Sequence, residues 1–175
     1  MKSTMHEKHN TQSGKPTQSH SIQMEHNGQY KKLLWMMIAS FIAMYILMYA
    51  MVDSFPNVIP NFNQFYMAGL MSAPMLIIEL LLMGKMYPNK KLNTILIGVG
   101  IALLVLFFSL IRTQAAIGDK QFLKSMIPHH AGAILMVEES ELKDPEVQKL
   151  AKDIIDAQNK EIDFMKAKIN ELKNQ

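Results

Sequence analysis

The chain of 175 residues contains no cysteine. That excludes disulfide bridges and all thiolate chemistry, and it suits an oxidising extracytoplasmic compartment. Charge is also scarce, with three long runs that hold one charged side chain between them. From Leu33 to Val52 there are 20 residues with no charged side chain, LLWMMIASFIAMYILMYAMV. Phe65 to Gly84 adds 20 with a single charge, Glu79, and Leu92 to Ile111 adds 20 with none. At 1.5 Å per residue, about 20 apolar residues match a hydrocarbon layer roughly 30 Å thick. A soluble domain of this size cannot cover three helices that are apolar all round. The runs therefore predict three transmembrane helices, at about 33–52, 65–84 and 92–111, within a membrane domain of residues 32–113. The first run lies behind 32 polar residues and lacks a small-residue cleavage site, so it is not expected to be a cleaved signal peptide.

Where the basic residues fall sets the expected orientation. Lys2, Lys8, Lys15, Lys31 and Lys32 precede the first run, and Lys85, Lys90 and Lys91 occupy the connection between the second and third. The connection DSFPNVIPNFNQ between the first and second has no Lys or Arg. The N-terminus is therefore expected in the cytoplasm and residues 114–175 outside it, in a multi-pass protein of a bacterial inner membrane. Arg112 at the third exit dissents weakly. The net charge of +3 reflects these anchors and points to no nucleic-acid partner.

Residues 1–31 are polar and without apolar period, which predicts a disordered cytoplasmic tail. Its Met5, His6, His9, His20, Met24 and His26 form at most a loose soft-metal ligand set. Within the second run, Met67, Met71, Met75, Glu79 and Met83 recur every four residues along one helical stripe. That stripe reads as a methionine-filled packing face, with Glu79 paired to a lysine such as Lys85. A thioether path for Cu(I) is the sharper alternative, and an ionisable group inside a span keeps it open. Pro74 should kink this helix. In the third run, Gly98 and Ala102 are a small-xxx-small pair suggestive of helix contact.

The last third reads as a helical hairpin. One helix is expected from Asp119 to about Leu142 and a second from Pro145 to about Lys173, with Asp144 as N-cap and Pro145 in the first turn. An apolar stripe of Leu150, Ile154, Ile162, Met165, Ile169 and Leu172 marks the second helix. On the first, Asp119, Phe122, Met126, His129, Ala133 and Met136 are spaced 3, 4, 3, 4 and 3 apart, as one heptad seam. His130 stands one position round, and Pro128 should kink the helix just ahead of the histidine pair. Gln158 and Glu161 interrupt the facing seam on the second helix, so His129 is expected to face Glu161 and Met165. Burying adjacent histidines without partners costs a few kcal/mol, and a soft or borderline metal removes that cost. Thioether with imidazole suits Cu(I), and imidazole also suits Cu(II) or Zn. The expected ligand set is Met126, His129, His130, Met136, Glu161 and Met165, with Asp119 more distant. The plain alternative is a core histidine hydrogen-bonded to Glu161.

The stretch FLKSMIPHHAGAILMVEES resembles the signature of the bacterial domain-of-unknown-function family 305, whose mark is a Met-x-x-His-His core followed by Ala and Met. Asp119, Phe122, Met126, Pro128, His129, His130, Ala133 and Met136 fall on that pattern. DAQNKEIDFMKA resembles the family's Gln-x-x-Glu-Ile-x-x-Met segment through Gln158, Glu161, Ile162 and Met165. The resemblance covers about the last third of the chain and implies a ferritin-like helical bundle, linked in some members to copper binding or resistance outside the cytoplasm. Longer members carry the motif twice and this chain once. Two chains are therefore expected to pair their hairpins into a four-helix bundle.

The expected fold is all-α: three transmembrane helices followed by an extracytoplasmic hairpin resembling half of a ferritin-like four-helix bundle. The expected function is membrane-anchored binding of a metal, copper or another transition metal, in tolerance or in handover to a transport or resistance protein. The alternatives are a structural or interaction module without metal and a ferritin-like metalloenzyme. The enzyme reading is disfavoured: di-iron chemistry needs Glu-x-x-His pairs and several carboxylates. No Ser-His-Asp set, phosphate loop or HExxH occurs either.

Overall fold

A computed structural model describes residues 17–174. It is all-helical, with α1 at Thr17–Leu47, α2 at Phe62–Leu82, α3 at Lys90–Thr113, α4 at Asp119–Glu138 and α5 at Pro145–Glu171. Two short 3-10 turns, Met48–Met51 and Phe55–Asn57, shape the α1–α2 connection. Three stretches, Gly28–Met51, Phe62–Leu82 and Lys90–Thr113, are long and apolar enough to cross a membrane, as the apolar runs predicted.

The expected tail differs in one respect. Helix α1 already runs through Thr17–Lys31, a polar stretch whose composition predicts disorder. No proline interrupts residues 17–31, and once the apolar span has nucleated a helix each further residue adds a hydrogen bond. The tail's possible ligands, Met5, His6, His9, His20, Met24 and His26, lie outside the residues whose side chains are described.

Helix α2 is the middle of the membrane layer, with α1 and α3 packed on it. Its buried face is made of small residues, Ala68, Gly69, Ser72 and Ala73, continued by Leu76 and Leu80. The ring of Phe107 lies so close to Gly69 that a Cβ there would come within 2.4 Å of it. Gly100 of α3 lies against Ile77 in the same way, with a Cβ falling 2.8 Å from the Ile77 side chain. Gly98, the expected contact glycine, faces open space instead. Two glycines two positions apart point to different sides of a helix, and only one can meet a given neighbour. The helix remains unbroken through Pro74.

The expected methionine packing face is corrected too. Met67, Met71 and Met83 are exposed on the outer side of α2, because the small residues claim the inner side. Glu79 does not meet Lys85. It accepts a hydrogen bond from the hydroxyl of Tyr87 at 3.1 Å, within a polar node where Tyr30 donates to Asn93 Oδ1 at 2.7 Å and Asn93 donates to the Tyr87 carbonyl at 2.8 Å. Burial, and then the hydrogen bond to the Glu79 carboxylate, raise the pKa of Tyr87 above its ordinary value.

At the opposite end of the layer the chain turns from α3 into α4 through Gln114 and Ala116. Both adopt the left-handed conformation, at φ of 49° and 58°. Tyr66 of α2 fixes the turn by donating to the Ala115 carbonyl at 2.9 Å. Helices α4 and α5 then form the expected hairpin. Asp144 caps α5, its carboxylate accepting from the backbone N–H groups of Glu146 at 2.9 Å and Val147 at 3.1 Å, and Pro145 opens the helix.

Candidate functional site

The hairpin core decides where each candidate ligand points. On α4 the buried row is Ile127, Ala131 and Ile134, with Leu123 packed at its edge, and it meets Ile162, Met165 and Ile169 of α5. This row is offset from the expected seam. Phe122 and Met136, 51% and 59% exposed, lie outside the core, and His129 is exposed with them. Neighbouring helix positions differ by 100°, so a packed face centred on isoleucines turns the Met/His seam to the flank. The aliphatic row wins because it loses most from contact with water, roughly 1.5–3 kcal/mol for each large side chain.

The turn brings His130, not His129, to Glu161. The Nε2 atom of His130 lies 2.6 Å from Glu161 Oε2, and its Nδ1 lies 3.0 Å from the carbonyl oxygen of Met126. A carbonyl oxygen only accepts, so Nδ1 carries a proton, and that bond fixes the ring so that Nε2 faces the carboxylate. With a second proton on Nε2 the contact is an imidazolium–carboxylate ion pair bridging α4 and α5. The His130 side chain is only 11% exposed and that of Glu161 is 60% exposed. A fixed imidazole therefore faces a carboxylate that water can reach.

The remaining candidates are dispersed. Met126 packs at the edge of the core and supplies its backbone carbonyl to His130. Met165 sits one turn beyond Glu161 and is buried among the isoleucines. Asp119, exposed in the first turn of α4, is 11 residues from His130. That separation is roughly 16 Å along the helix, too far to join the pair. Gln158 keeps a buried Oε1 with no hydrogen-bond partner among the described residues. No group of three or more His, Asp or Glu side chains suited to a metal forms among the described residues.

One contributor escaped the sequence reading. Gly132, one turn after Pro128, lies against the α1–α2 connection, where a Cβ would come 3.3 Å from the Met51 carbonyl oxygen. Val52 and Ile59 of that connection join the hairpin core. The small run AGA after the histidines was the available signal, since a glycine inside a helix often marks a close backbone approach. The hairpin is thus seated on the membrane layer through the residues that flank its histidine pair. Asn63 reinforces the seat, donating to Gln114 Oε1 at 3.0 Å and Ser125 Oγ at 3.3 Å.

The sequence profile of the domain-of-unknown-function family DUF305 matches residues 109–169, which hold all of α4 and nearly all of α5. Over 146 residues the chain is 38% identical to "Uncharacterized protein L153" of Acanthamoeba polyphaga mimivirus, an alignment that spans 82% of this chain and 94% of that protein. The chain belongs to the DUF305 family. In this DUF305 chain the matched region contains the His130–Glu161 pair and the isoleucine core, and the similarity to the viral protein extends into the membrane layer. No solved structure matches the chain.

Proposed function

We propose that the chain is a membrane-anchored, extracytoplasmic metal-binding protein, with copper the metal its donors suit best, acting in metal tolerance or handover. The observation that supports this reading is the fixed imidazole. A ring nitrogen held by a backbone carbonyl orients the other nitrogen for coordination, which is how outer-shell contacts prepare a histidine ligand. His130 Nε2 and Glu161 would hold the ion, replacing the proton between them. His129, Met126 and Met136 offer the imidazole and thioethers that suit copper.

A single hairpin gives only this histidine–carboxylate pair. Two copies pairing through the exposed sides of α4 and α5 would bury Phe122, Met136 and Leu150, 51%, 59% and 58% exposed in one chain, and bring a second His129 and Met136 to the first. Crosslinking in native membranes tests this, and a strictly monomeric protein would remove the shared site.

The second reading is a structural staple, and the short His130–Glu161 bond supports it as well, because an ion pair between helices needs no metal. A Cu(I) titration of the full-length protein in detergent, against a chelator of known affinity, separates the two. On the metal reading, His130→Ala weakens binding by tenfold or more and His129→Ala by less, a scale of about 10–100-fold being usual for ligand-shell changes. On the staple reading, both variants bind as the parent does and His130→Ala shows only reduced stability.

A further inference from the structure

Between the membrane layer and the hairpin lies a cleft of about 460 Å³ that the metal reading does not use. Its walls include Tyr45, Phe62, Phe65 and Tyr66 from α1 and α2, and Gln121 and Lys124 from α4. Three of these rings form a continuous group, with Tyr66 6.3 Å from both Phe62 and Phe65, and Phe65 also packs edge-on against Phe41 at 5.1 Å and Phe107 at 6.2 Å, which lie outside the cleft lining. Phe62 and Phe65 nevertheless stay nearly half exposed. Tyr45, Phe65 and Tyr66 belong to stretches able to cross a membrane, whereas Gln121 and Lys124 lie beyond the last of them. The cleft therefore spans the boundary at which hydrocarbon gives way to headgroups, where aromatic side chains gather.

Lys124 supplies the chemistry. It is half-buried, and no carboxylate pairs with it among the described residues. A partly buried ammonium favours an anion beside it, and the Gln121 amide adds N–H donors. A cation above an apolar aromatic wall at the end of the spans fits one kind of molecule: a phosphate group attached to acyl chains.

We propose that this cleft binds a membrane phospholipid, with its phosphate against Lys124 and Gln121 and its glycerol and upper acyl segments along Phe62, Phe65 and Tyr66. Such a lipid bridges the membrane layer and the foot of α4. It adds to the seat formed by Asn63 and Gly132, and it requires no metal at the histidine pair.

The test uses full-length protein purified in mild detergent, with phosphatidylglycerol added and bound lipid counted by native mass spectrometry. The parent protein should keep one phosphatidylglycerol per chain at activation energies that strip the rest. Lys124→Ala should lower that retained fraction about tenfold, the loss of one charge-assisted bond, whereas Lys124→Arg should preserve it. Circular dichroism confirms that both variants stay helical. If Lys124→Ala loses its fold, Gln121→Leu replaces it and should lower retention several-fold. Equal retention in the parent and the Ala variant overturns the proposal. Equal retention of uncharged diacylglycerol also overturns it, since the cleft would then be only an apolar groove. So does displacement of the lipid by millimolar inorganic phosphate, which would mark a site for a soluble anion.

Discussion

In the membrane layer, α2 and α3 meet where a side chain is absent. Gly69 makes room for the Phe107 ring and Gly100 for Ile77. In the hairpin they meet where side chains are large, and Ile127 and Ile134 are almost wholly enclosed by α5 and the α1–α2 connection. Surroundings explain the difference. Lipid tails are as apolar as leucine, so helices inside a bilayer gain from close shape and not from leaving the solvent. Outside it, removing aliphatic surface from water is the main driving force. The three helices apolar enough to cross a membrane and the hairpin that follows them therefore use two kinds of helix contact. A mutation that is mild in one region should be severe in the other.

The largest effect should come from the hairpin. Ile134→Ala removes a fully buried side chain and should cost about 2–5 kcal/mol, seen as faster hydrogen exchange across α4 and α5 while α2 and α3 keep their protection. Loss of protection in all four helices would show instead that the layers fold as one unit. The counterpart in the membrane is Gly69→Val, which forces the Phe107 ring to move and should cost about 1–3 kcal/mol by overpacking. Adding Phe107→Ala should return part of that loss, and a double-mutant cycle in detergent measures it. Additive effects would mean that the ring does not press on position 69.

A smaller effect is expected at the polar node, which belongs to neither mode. The folded pKa of Tyr87 is raised, so the folded state holds its proton more tightly than the unfolded state. The contribution to stability is thus complete below the ordinary tyrosine value of 10.0 and is lost as pH rises beyond it. Thermal melts of the parent should lose stability above that pH more steeply than melts of Tyr87→Phe. At neutral pH the variant itself should cost about 0.5–1.5 kcal/mol, the worth of one hydrogen bond to Glu79. The smallest effect should be at Leu150, 58% exposed near the hairpin tip. In an isolated chain Leu150→Ala should change stability by less than about 0.5 kcal/mol. A clearly larger loss that grows with protein concentration would show a second copy covering that face.

Much of the fold was legible in residue order. Three long apolar runs gave the spans, and the KDPE segment gave the hairpin turn, because a capping aspartate before a proline is a local signal. The candidate site was legible only in outline. Met126, His129, His130 and Glu161 were singled out by type and spacing, but the heptad row through His129 competed with an equally regular row through Ile127, Ala131 and Ile134. Nothing local ranks two such rows. The methionine stripe of α2 posed the same problem, with its spacing plain and its direction set by Gly69 and Ala73 on the other side.

By itself, then, the sequence determined what depends on neighbours along the chain: the number of apolar helices, the cap of α5, the apolar length of three helices and the presence of a histidine pair with thioethers near it. The tertiary structure alone decided which histidine meets Glu161, which methionines are enclosed, and that Gly132 lets the α1–α2 connection rest on α4. Those outcomes depend on helix rotation, one residue step being 100°, and rotation is set by the partner surfaces that compete for each face.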